Sequence, residues 1–491
     1  MSNRKAIVVG AGIAGIATAI RLAVKGYEVE VYEKNDVAGG KMYVIEKDGF
    51  TFDAGPSLFT QPSNVEELFQ LAGEDISSFF TYESVPIACR YFFENGKKVN
   101  AYTNAGQFAE EMRKQTGEPT EHIIQYLKDS ERVYNEVGSI FLNYSLHRSS
   151  TWLHARVIAA MRAVKLPYLV KTLDQFNRSR FISPEAVQIF NRYATYNGSN
   201  PYSAPGMLSL IPHLEQNQGT FYPHGGMINI PKALVALAEK KGVRFILNTA
   251  VEKINKDNGR ISGIVVDGKF IASDLVVSNV DAYYTYKNLL SDEAGAKKIL
   301  RSERSSSAFI FYWGMKREFS ELHLHNIFFS EHYQQEFDHL FKLKKFFHDP
   351  TIYVNITSKM ESGQCPSGKE NWFVMVNAPA KPEDDWQEDM NTLRAAVVAK
   401  LSRMLGVDIA EAIEVEEVLT PNGIQSRTDS YLGSLYGTSS NSPWAAFMRH
   451  PNQSSRNQGL YFAGGSVHPG GGIPLCLKSA KIVSDLIGDL G

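Results

Sequence analysis

The chain has 491 residues, and its 51 basic and 53 acidic residues give a formal net charge of −2. This length exceeds the ~250–300 residues at which one hydrophobic core stops growing, so two interleaved or consecutive domains are expected. The balanced charge, with no block of Lys and Arg, argues against nucleic acid as a partner. The three cysteines, Cys89, Cys365 and Cys476, form no CxxC pair, which argues against a zinc site, a disulfide framework and a dithiol relay.

The chain opens with the pattern of a βαβ dinucleotide-binding unit. Apolar residues 5–9 predict a strand, and residues 16–22 predict a helix whose N-terminus favours an anion. The turn between them contains three glycines, Gly10, Gly12 and Gly15. A second strand, 27–32, ends at Glu33, whose carboxylate can accept the hydroxyls of an adenosine ribose. The unit therefore predicts FAD or NAD rather than NADP.

Two further loops narrow the choice of cofactor. A Gly-Gly-Lys loop ends at Lys41, which either supplies countercharge to a phosphate or flavin or belongs to an ordinary surface turn. A hairpin around Gly49 leads to the segment from Asp53 to Ser57, Asp-Ala-Gly-Pro-Ser. In this order, after GxGxxG and Glu33, the loops resemble the amine-oxidase and phytoene-desaturase superfamily of flavoproteins. That resemblance implies FAD as the cofactor.

The chain then leaves the predicted nucleotide-binding region. Ser63 and Glu66 have the spacing of a capping box that starts a helix through Ala72. The pattern is strand-like over 79–103 and helical over 104–116.

The segment 150–173 is basic, amphipathic and without acidic residues. It predicts an interfacial helix, interrupted at Pro167, that dips an apolar face among lipids while its cations meet anionic headgroups. The alternative is a core-facing helix with a solvated basic side. Evidence for a lipid substrate would favour the first interpretation.

Three segments sharpen the resemblance to a family. Residues 200–205 (Asn-Pro-Tyr-Ser-Ala-Pro), 211–215 (Ile-Pro-His-Leu-Glu) and 222–227 (Tyr-Pro-His-Gly-Gly-Met) resemble the corresponding segments of bacterial carotenoid desaturases. The family pattern implies that the chain returns to the flavin domain here. It also implies that the backbone of Val251 meets the adenine ring, and that the segment ending at Asn279 contacts FAD before the chain leaves again.

Apolar strands of a larger sheet are predicted at 308–313, 352–356, 372–376 and 413–419, with a long helix over 385–405. The resemblance implies that the loop 431–437 lies near the isoalloxazine.

The C-terminal stretch holds a second glycine-rich turn. A buried strand over 459–464 is followed by the turn 465–472 and a closing helix over 473–490, and its amides can face a phosphate or the flavin's pyrimidine edge. The His-Pro-Gly-Gly-Gly-Ile-Pro element is similar to that of carotenoid desaturases. Ser466 stands where the wider superfamily commonly has Asp, so a carboxylate contact to the ribityl chain is not expected.

The predicted fold is α/β, with a Rossmann-like FAD-binding domain built from discontinuous segments and an α+β substrate domain. The FAD-binding domain is predicted to combine residues 1–80, 221–290 and 456–491. Residues 81–220 are predicted to form a substrate and membrane-contact region, and residues 291–455 the substrate domain. The predicted cofactor-binding residues are Gly10, Gly12, Ile13, Ala14, Gly15, Glu33, Lys34, Gly40, Lys41, Gly55, Pro56, Ser57, Leu58, Val251, Asn279, Leu432, Gly464, Gly465, Gly472, Ile473 and Pro474.

The resemblance implies an FAD-dependent desaturase of a long apolar carotenoid. A hydroxylated or monocyclic carotenoid, desaturated at the 3,4 bond, is the favoured substrate, and phytoene is the alternative. A flavin amine oxidase and a non-enzymatic prenyl-binding escort protein are alternatives from other classes. No catalytic residue is assigned, although His213, His224 and His468 lie in loops near the expected flavin.

The expected location is cytoplasmic, peripheral on the inner face of the cell membrane. The first strand starts too early for a cleavable signal peptide, and no apolar run reaches the ~18–20 residues of a spanning helix. Without a dithiol relay, electrons must leave through the cofactor, and the expected acceptor is oxygen or a quinone.

Overall fold

The N-terminal strand lies in the middle of a five-stranded parallel sheet. The computed structural model describes residues 4–382, 386–442, 445 and 448–489. Across the sheet the strands are Leu460–Phe462, Leu275–Ser278, Lys5–Val9, Glu28–Tyr32 and Arg244–Ile246. Strands from both ends and the middle of the chain are therefore neighbours, and the predicted Rossmann-like fold is confirmed.

Both faces of the parallel sheet are covered, which explains its unbroken apolar strands. Ala6 and Val8 pack into a cluster with four helices, whereas Ile7 and Val9 pack into a second cluster with a three-stranded antiparallel sheet. The helices are Ile13–Val24, Ser63–Ala72, Asn229–Lys240 and Ile473–Ile487. The antiparallel strands are Lys253–Asp257, Arg260–Val266 and Lys269–Ala272.

A larger sheet of seven strands forms the second layer. Its order is Ile413–Leu419, Ser307–Met315, Glu370–Ala378, Ile352–Ile356, His325–Phe328, Ile87–Phe92 and Lys98–Tyr102, with only the pair of His325–Phe328 and Ile87–Phe92 parallel. The helix Gln387–Leu405 packs on one face. The hairpin Tyr43–Lys47 with Phe50–Ala54 packs on the other, through Phe50 and Phe52. The predicted α+β region is thereby confirmed.

Helices between residues 105 and 217 form a third region with its own core. They are Ala105–Thr116, Thr120–Val133, Tyr134–Gly138, Ser139–Phe141, Ser149–Trp152, Ala155–Ala163, Pro167–Val170, Leu173–Arg178, Pro184–Asn191, Arg192–Asn197, Gly206–Leu210 and His213–Asn217. Aromatic contacts hold them together: between ring centroids, Phe190 lies 4.4 Å from Tyr126 in a tilted pair and 4.7 Å from Phe181 in a stacked pair. Such pairs add to the stabilisation from apolar burial alone.

The remaining elements are short. Tyr82–Val85 pairs with Thr220–Pro223. The other helices and turns are Ile76–Ser78, Ala282–Tyr284, Thr285–Leu289, Glu293–Ile299, Tyr333–Asp338, His339–Leu343, Thr357–Lys359, Ile409–Ala412, Pro421–Thr428 and Tyr431–Gly433. No helix among the described residues combines the length and apolar character needed to cross a bilayer.

All strands of the parallel sheet fall within 1–80, 221–290 and 456–491, and all strands of the seven-stranded sheet fall within 81–220 and 291–455. The exact domain boundaries stay a prediction.

Several local predictions need correction. The segment 150–173 is broken into short helices, and Pro167 begins one of them instead of interrupting a longer one, because proline suits a first helical turn. The predicted capping box is absent: Pro62 is the N-cap, and Glu66 instead accepts a hydrogen bond from the Tyr82 hydroxyl. The predicted ends of two helices, residues 385 and 490, lie outside the described residues.

Candidate active site

A large cavity lies where the five parallel strands end, between them and the seven-stranded sheet. Its volume is about 630 Å³ within the portion of the chain that the structure describes. Open α/β sheets bind ligands at the carboxyl ends of their strands. Gly10, Glu33, Asn279 and Gly464 each follow one of these strands and line the cavity.

The structure brings most of the predicted cofactor-binding residues to this cavity. Those that line it are Gly10, Gly12, Ile13, Ala14, Glu33, Lys34, Gly40, Lys41, Gly55, Pro56, Ser57, Leu58, Val251, Asn279, Gly464, Gly465, Gly472, Ile473 and Pro474. Gly15 and Leu432 do not line it. A Cβ on Gly15 would collide with the Gly10 carbonyl oxygen, so this glycine lets the helix lie close to the strand. The Leu432 amide donates to Gln425 Oε1 at 2.6 Å.

The first glycine turn presents the start of a helix to the cavity. Gly12 is the N-cap of the helix Ile13–Val24, and no side chain of the described residues caps that helix. The Gly-Gly-Lys loop closes over the turn, because a Cβ on Gly40 would lie 3.0 Å from the Gly12 Cα. Backbone N–H groups at a helix start, with room for close approach, form an anion site.

Asn279 lies between the two glycine-rich turns. Its Nδ2 donates to the Ala463 carbonyl at 2.8 Å, and its Oδ1 would lie 2.6 Å from a Cβ on Gly12. Its Nδ2 would lie 2.8 Å from a Cβ on Gly464. One amide side chain therefore sets the spacing of turns that are separated by some 450 residues of sequence.

Glu33 is held in place by backbone amides. Its Oε2 accepts from the Ala11 N–H at 2.7 Å, and its Oε1 accepts from the Asn35 N–H at 2.9 Å. The residue is only 5% exposed. Oε1 also accepts from the Asn35 Nδ2 at 2.6 Å. A carboxylate has about four lone-pair positions, so Oε2 keeps the capacity to accept one hydroxyl group from a ligand.

The C-terminal turn supplies a second helix start. Gly472 precedes the helix Ile473–Ile487 with φ of +97°, and here too none of the described side chains caps the helix. Ser466 Oγ accepts from the Ala282 N–H at 3.1 Å, so this hydroxyl fixes the backbone beside the cavity.

Three cations line the cavity without a carboxylate partner among the described residues: Lys41, Arg427 and Arg449. Lys41 Nζ donates to the Leu435 carbonyl at 2.7 Å, and burial lowers the pKa of this amine to about 8. Arg449 Nη1 donates to the Tyr436 carbonyl at 2.8 Å, and burial lowers the pKa of the guanidinium to about 10. Positive charge that meets only neutral groups favours an anionic or electron-rich ligand.

Away from the glycine turns the cavity becomes an apolar arm. Its walls come from the helical region and from the seven-stranded sheet, and include Val137, Phe141, Leu142, Met207, Leu208, Leu210, Ile211, Leu214, Ile310, Ile327, Phe373 and Met375. A buried ion pair interrupts them: Arg192 Nη2 lies 3.0 Å from Glu215 Oε1. The hydroxyls of Tyr193 and Tyr196 also donate to this carboxylate, so its charge is satisfied inside the protein.

The three histidines considered from the sequence have separate positions. His468 lines the cavity, and its Nε2 donates to the Tyr144 carbonyl at 2.9 Å. Burial lowers the pKa of His468 to about 4. His213 is hydrogen-bonded through both ring nitrogens by Asn217 and Gln218, and His224 does not line the cavity. None is assigned as a base.

Comparison with known proteins decides the family. The family model described as flavin containing amine oxidoreductase matches residues 13–488. The chain belongs to the flavin-containing amine oxidoreductase family. Membership makes the protein an FAD-dependent oxidoreductase, which confirms the cofactor that the resemblance of its sequence implied.

Curated relatives of this oxidoreductase extend over its whole length. The chain is 47% identical over 486 residues to a 1-hydroxycarotenoid 3,4-desaturase of Flavobacterium sp. (strain P99-3), covering 99% of both chains. It is 34% identical over 490 residues to a 4,4'-diapolycopene oxygenase of Methylomonas sp, covering 99% of this chain and 98% of the relative.

Solved structures share the fold of the oxidoreductase. An oxidoreductase from Methanosarcina mazei superposes with a TM-score of 0.64 at 16% identity, covering 98% of this chain and all of the other. Wild-type putrescine oxidase bound to putrescine superposes with a TM-score of 0.62 at 13% identity, covering 99% of both.

The residues present fit FAD. The cavity offers two helix starts without side-chain caps among the described residues, and a buried carboxylate with one free lone pair. It also has glycines, Gly12 and Gly464, at which a Cβ would clash with Asn279. In this oxidoreductase Glu33 would hold the ribose, the amides after Gly12 the pyrophosphate, and the turn before Ile473 the flavin end. When bound, FAD supplies the two-electron acceptor that the protein side chains lack.

Sequence reasoning missed Arg449 and the polar groups of the apolar arm. Arg449 follows no motif, and Arg192, Glu215 and His325 come from distant regions of the chain. Of these residues, only Glu215 lies in a segment, 211–215, whose resemblance to carotenoid desaturases was recognised in the sequence.

Proposed function

We propose that this protein is a carotenoid desaturase that introduces a C=C bond into a C40 carotenoid. The favoured substrate is a hydroxylated or monocyclic carotenoid, and the favoured bond is the 3,4 bond. The observation that carries this proposal is the continuity of the predicted flavin site with the apolar arm in one cavity. The printed name of the 47% identical relative supports the choice of substrate.

Desaturation removes a hydride from one carbon and a proton from its neighbour, and the two carbons form the new double bond. FAD, when bound, would supply the acceptor for the hydride and its two electrons, and oxygen or a quinone, as the final acceptor, would take up the two electrons together with two protons. The chain's own contribution is to align the polyene and to exclude water. Phe141, Leu214, Ile327 and Met375 form apolar walls for this purpose.

We also propose that the protein meets the inner face of the cell membrane through the segment 150–173. Seven large apolar side chains in and beside this segment are exposed, and the five most exposed are Leu153 by 80%, Met161 by 53%, Leu166 by 67%, Val170 by 65% and Ile182 by 74%. Adjacent cations suit anionic headgroups. The helix Ala155–Ala163 packs against the helical turns that contain Val137 and Phe141, which line the apolar arm. This arrangement favours entry of a lipid-dissolved substrate.

The test is conversion of defined carotenoids by the purified, flavin-loaded protein. The protein is incubated with a 1-hydroxycarotenoid, lycopene or phytoene, and the products are separated and identified by their absorption spectra. We expect the hydroxycarotenoid to gain one double bond and to absorb at longer wavelength. Conversion of phytoene alone would favour phytoene desaturation, and amine-dependent peroxide would favour an amine oxidase.

A further inference from the structure

His325 stands out in the wall of the apolar arm. It begins the strand His325–Phe328 of the seven-stranded sheet, is 2% exposed, and lines the cavity. Its neighbours along the wall include Ile327 and Met375, which are apolar. A polar ring at this depth requires hydrogen-bond partners for both nitrogens, because an unpaired buried donor is costly.

Only one ring nitrogen of His325 has partners among the described residues. The Tyr353 hydroxyl lies 2.7 Å from Nδ1, and Asn355 Nδ2 lies 3.1 Å from the same atom. Asn355 Nδ2 also donates to the Leu324 carbonyl, which fixes the orientation of this amide. Nδ1 is therefore the acceptor in a neutral ring, and the proton is on Nε2. Within the described chain Nε2 has no hydrogen-bond partner.

The ring is connected to the predicted flavin site. The Tyr353 hydroxyl, which contacts His325, also lies 2.7 Å from Ser57 Oγ. Ser57 belongs to the Gly-Pro-Ser loop predicted to contact FAD, and it lines the same cavity. Two hydrogen bonds thus separate His325 from a residue at the cofactor, so His325 is near the reacting end of the substrate.

From this geometry we infer that His325 Nε2 donates a hydrogen bond to an oxygen atom on the end group of the substrate. The inference rests on the proposed function. In a carotenoid with a hydroxyl on carbon 1 and the reacting bond between carbons 3 and 4, three bonds join the oxygen to carbon 3. The oxygen must therefore bind beside the flavin, where His325 lies. An end group without oxygen would leave the buried donor unpaired, so His325 selects hydroxylated substrates.

Two substitutions test the contributions of the two ring nitrogens of His325 separately. In His325→Asn, the shorter amide can replace Nδ1, so it keeps the contacts with Tyr353 and Asn355 but has no group at the Nε2 position. In His325→Gln, the longer amide places an N–H donor near Nε2. We expect His325→Gln to retain a preference for the hydroxylated substrate and His325→Asn to lose it.

The experiment compares a 1-hydroxycarotenoid with the same carotenoid lacking the hydroxyl. For the wild type and both variants, kcat/KM is measured for each carotenoid, binding is measured by quenching of flavin fluorescence, and flavin absorbance confirms cofactor loading. We expect the wild type to prefer the hydroxylated carotenoid by ~10-fold or more in both measurements. In His325→Asn the preference should disappear because binding of the hydroxylated carotenoid falls, while the other carotenoid, which no longer leaves a buried donor unpaired, is bound at least as tightly as by the wild type.

The outcomes separate this inference from the proposed function. If the wild type prefers the hydroxylated carotenoid in binding, and His325→Asn loses that preference, but no desaturation occurs, the proposed reaction fails and the oxygen contact stands. The inference is overturned if the wild type shows no preference in binding. It is also overturned if His325→Asn weakens the binding of both carotenoids equally, or if this variant still prefers the hydroxylated carotenoid.

Discussion

The side-chain amide of Asn279 occupies the space that a larger residue at position 12 would need: its Oδ1 lies 2.6 Å from the position of a Cβ on Gly12. The amide cannot swing away freely, since its Nδ2 is bonded to the Ala463 carbonyl. We expect Gly12→Ala to weaken FAD binding by ~10–100-fold, because overpacking at a tight site costs about 1–3 kcal/mol. Flavin absorbance of the purified protein gives the readout. Gly106→Ala, in the helix Ala105–Thr116, is the control and should bind FAD normally.

Glu33→Gln tests the predicted ribose contact. The substitution keeps the size of the side chain but removes its charge and brings an amide donor toward the Ala11 and Asn35 N–H groups. Because hydrogen bonds to a charged acceptor contribute about 1.5–3 kcal/mol, we expect ~10–100-fold weaker FAD binding. Titration of the apoprotein with FAD measures the effect. Glu239→Gln, on an exposed helix surface, should leave the affinity unchanged, and an equal loss there would contradict the assignment.

Lys41 gives the cofactor site a pH dependence. Burial lowers the pKa of its amine to about 8, so the apoprotein loses this positive charge as the pH rises through that value. Affinity for FAD, an anion, should therefore be full below this pH and should decline above it. The Lys41→Met variant should bind FAD weakly both below and above this pH, so its affinity should not change as the pH passes through that value. Lys41→Arg keeps its charge over the range and should bind with little pH dependence; a profile identical to the wild type would exclude Lys41 as the titrating group.

The exposed apolar side chains near residue 166 should govern membrane binding. Replacing both Leu166 and Val170 by Ser removes two side chains available to lipid, each contributing about 1.5–3 kcal/mol when buried. We expect at least ~10-fold weaker co-sedimentation with anionic phospholipid vesicles. Phe270→Ser is the matched control, since Phe270 is 54% exposed on the three-stranded sheet. Equal losses in both variants would argue against a localised contact.

The Arg192–Glu215 pair should be important for stability. Glu215→Gln leaves the Arg192 guanidinium without its counter-charge in the protein interior, which typically costs about 3–5 kcal/mol. Denaturant unfolding should therefore shift to lower concentration. Glu110→Gln removes the partner of Arg113, where both side chains are 61% exposed, and should change stability by only about 0–1 kcal/mol. Similar shifts for both variants would show that the buried pair has no special role.

Sequence analysis predicted those strands and helices that are determined by residues close together in the chain. The short, mostly apolar runs at 5–9, next to a glycine turn, and at 352–356 contain enough information to identify their strands. The capping box failed because Glu66 had a competing partner, the Tyr82 hydroxyl, 16 residues away. Local spacing does not reveal such competition.

The polar side chains of the cavity are brought together only by the tertiary structure. Ser57, His325 and Tyr353 are far apart in the sequence, and only the pairing of His325–Phe328 with Ile352–Ile356 brings the histidine and the tyrosine together. Arg449 likewise reaches the cavity from a loop without a recognisable pattern. Gly15 is different, because its glycine motif is recognisable in the sequence. In the structure, however, this glycine does not line the cavity and lets the helix lie close to the strand.

The parallel sheet is completed by Leu460–Phe462, which pairs with Leu275–Ser278 from the middle of the chain. During synthesis the ribosome therefore releases most of the polypeptide before both glycine-rich turns exist. Flavin loading must wait for the second turn, and the nascent chain must keep its unfinished sheet edge from aggregating until that strand arrives.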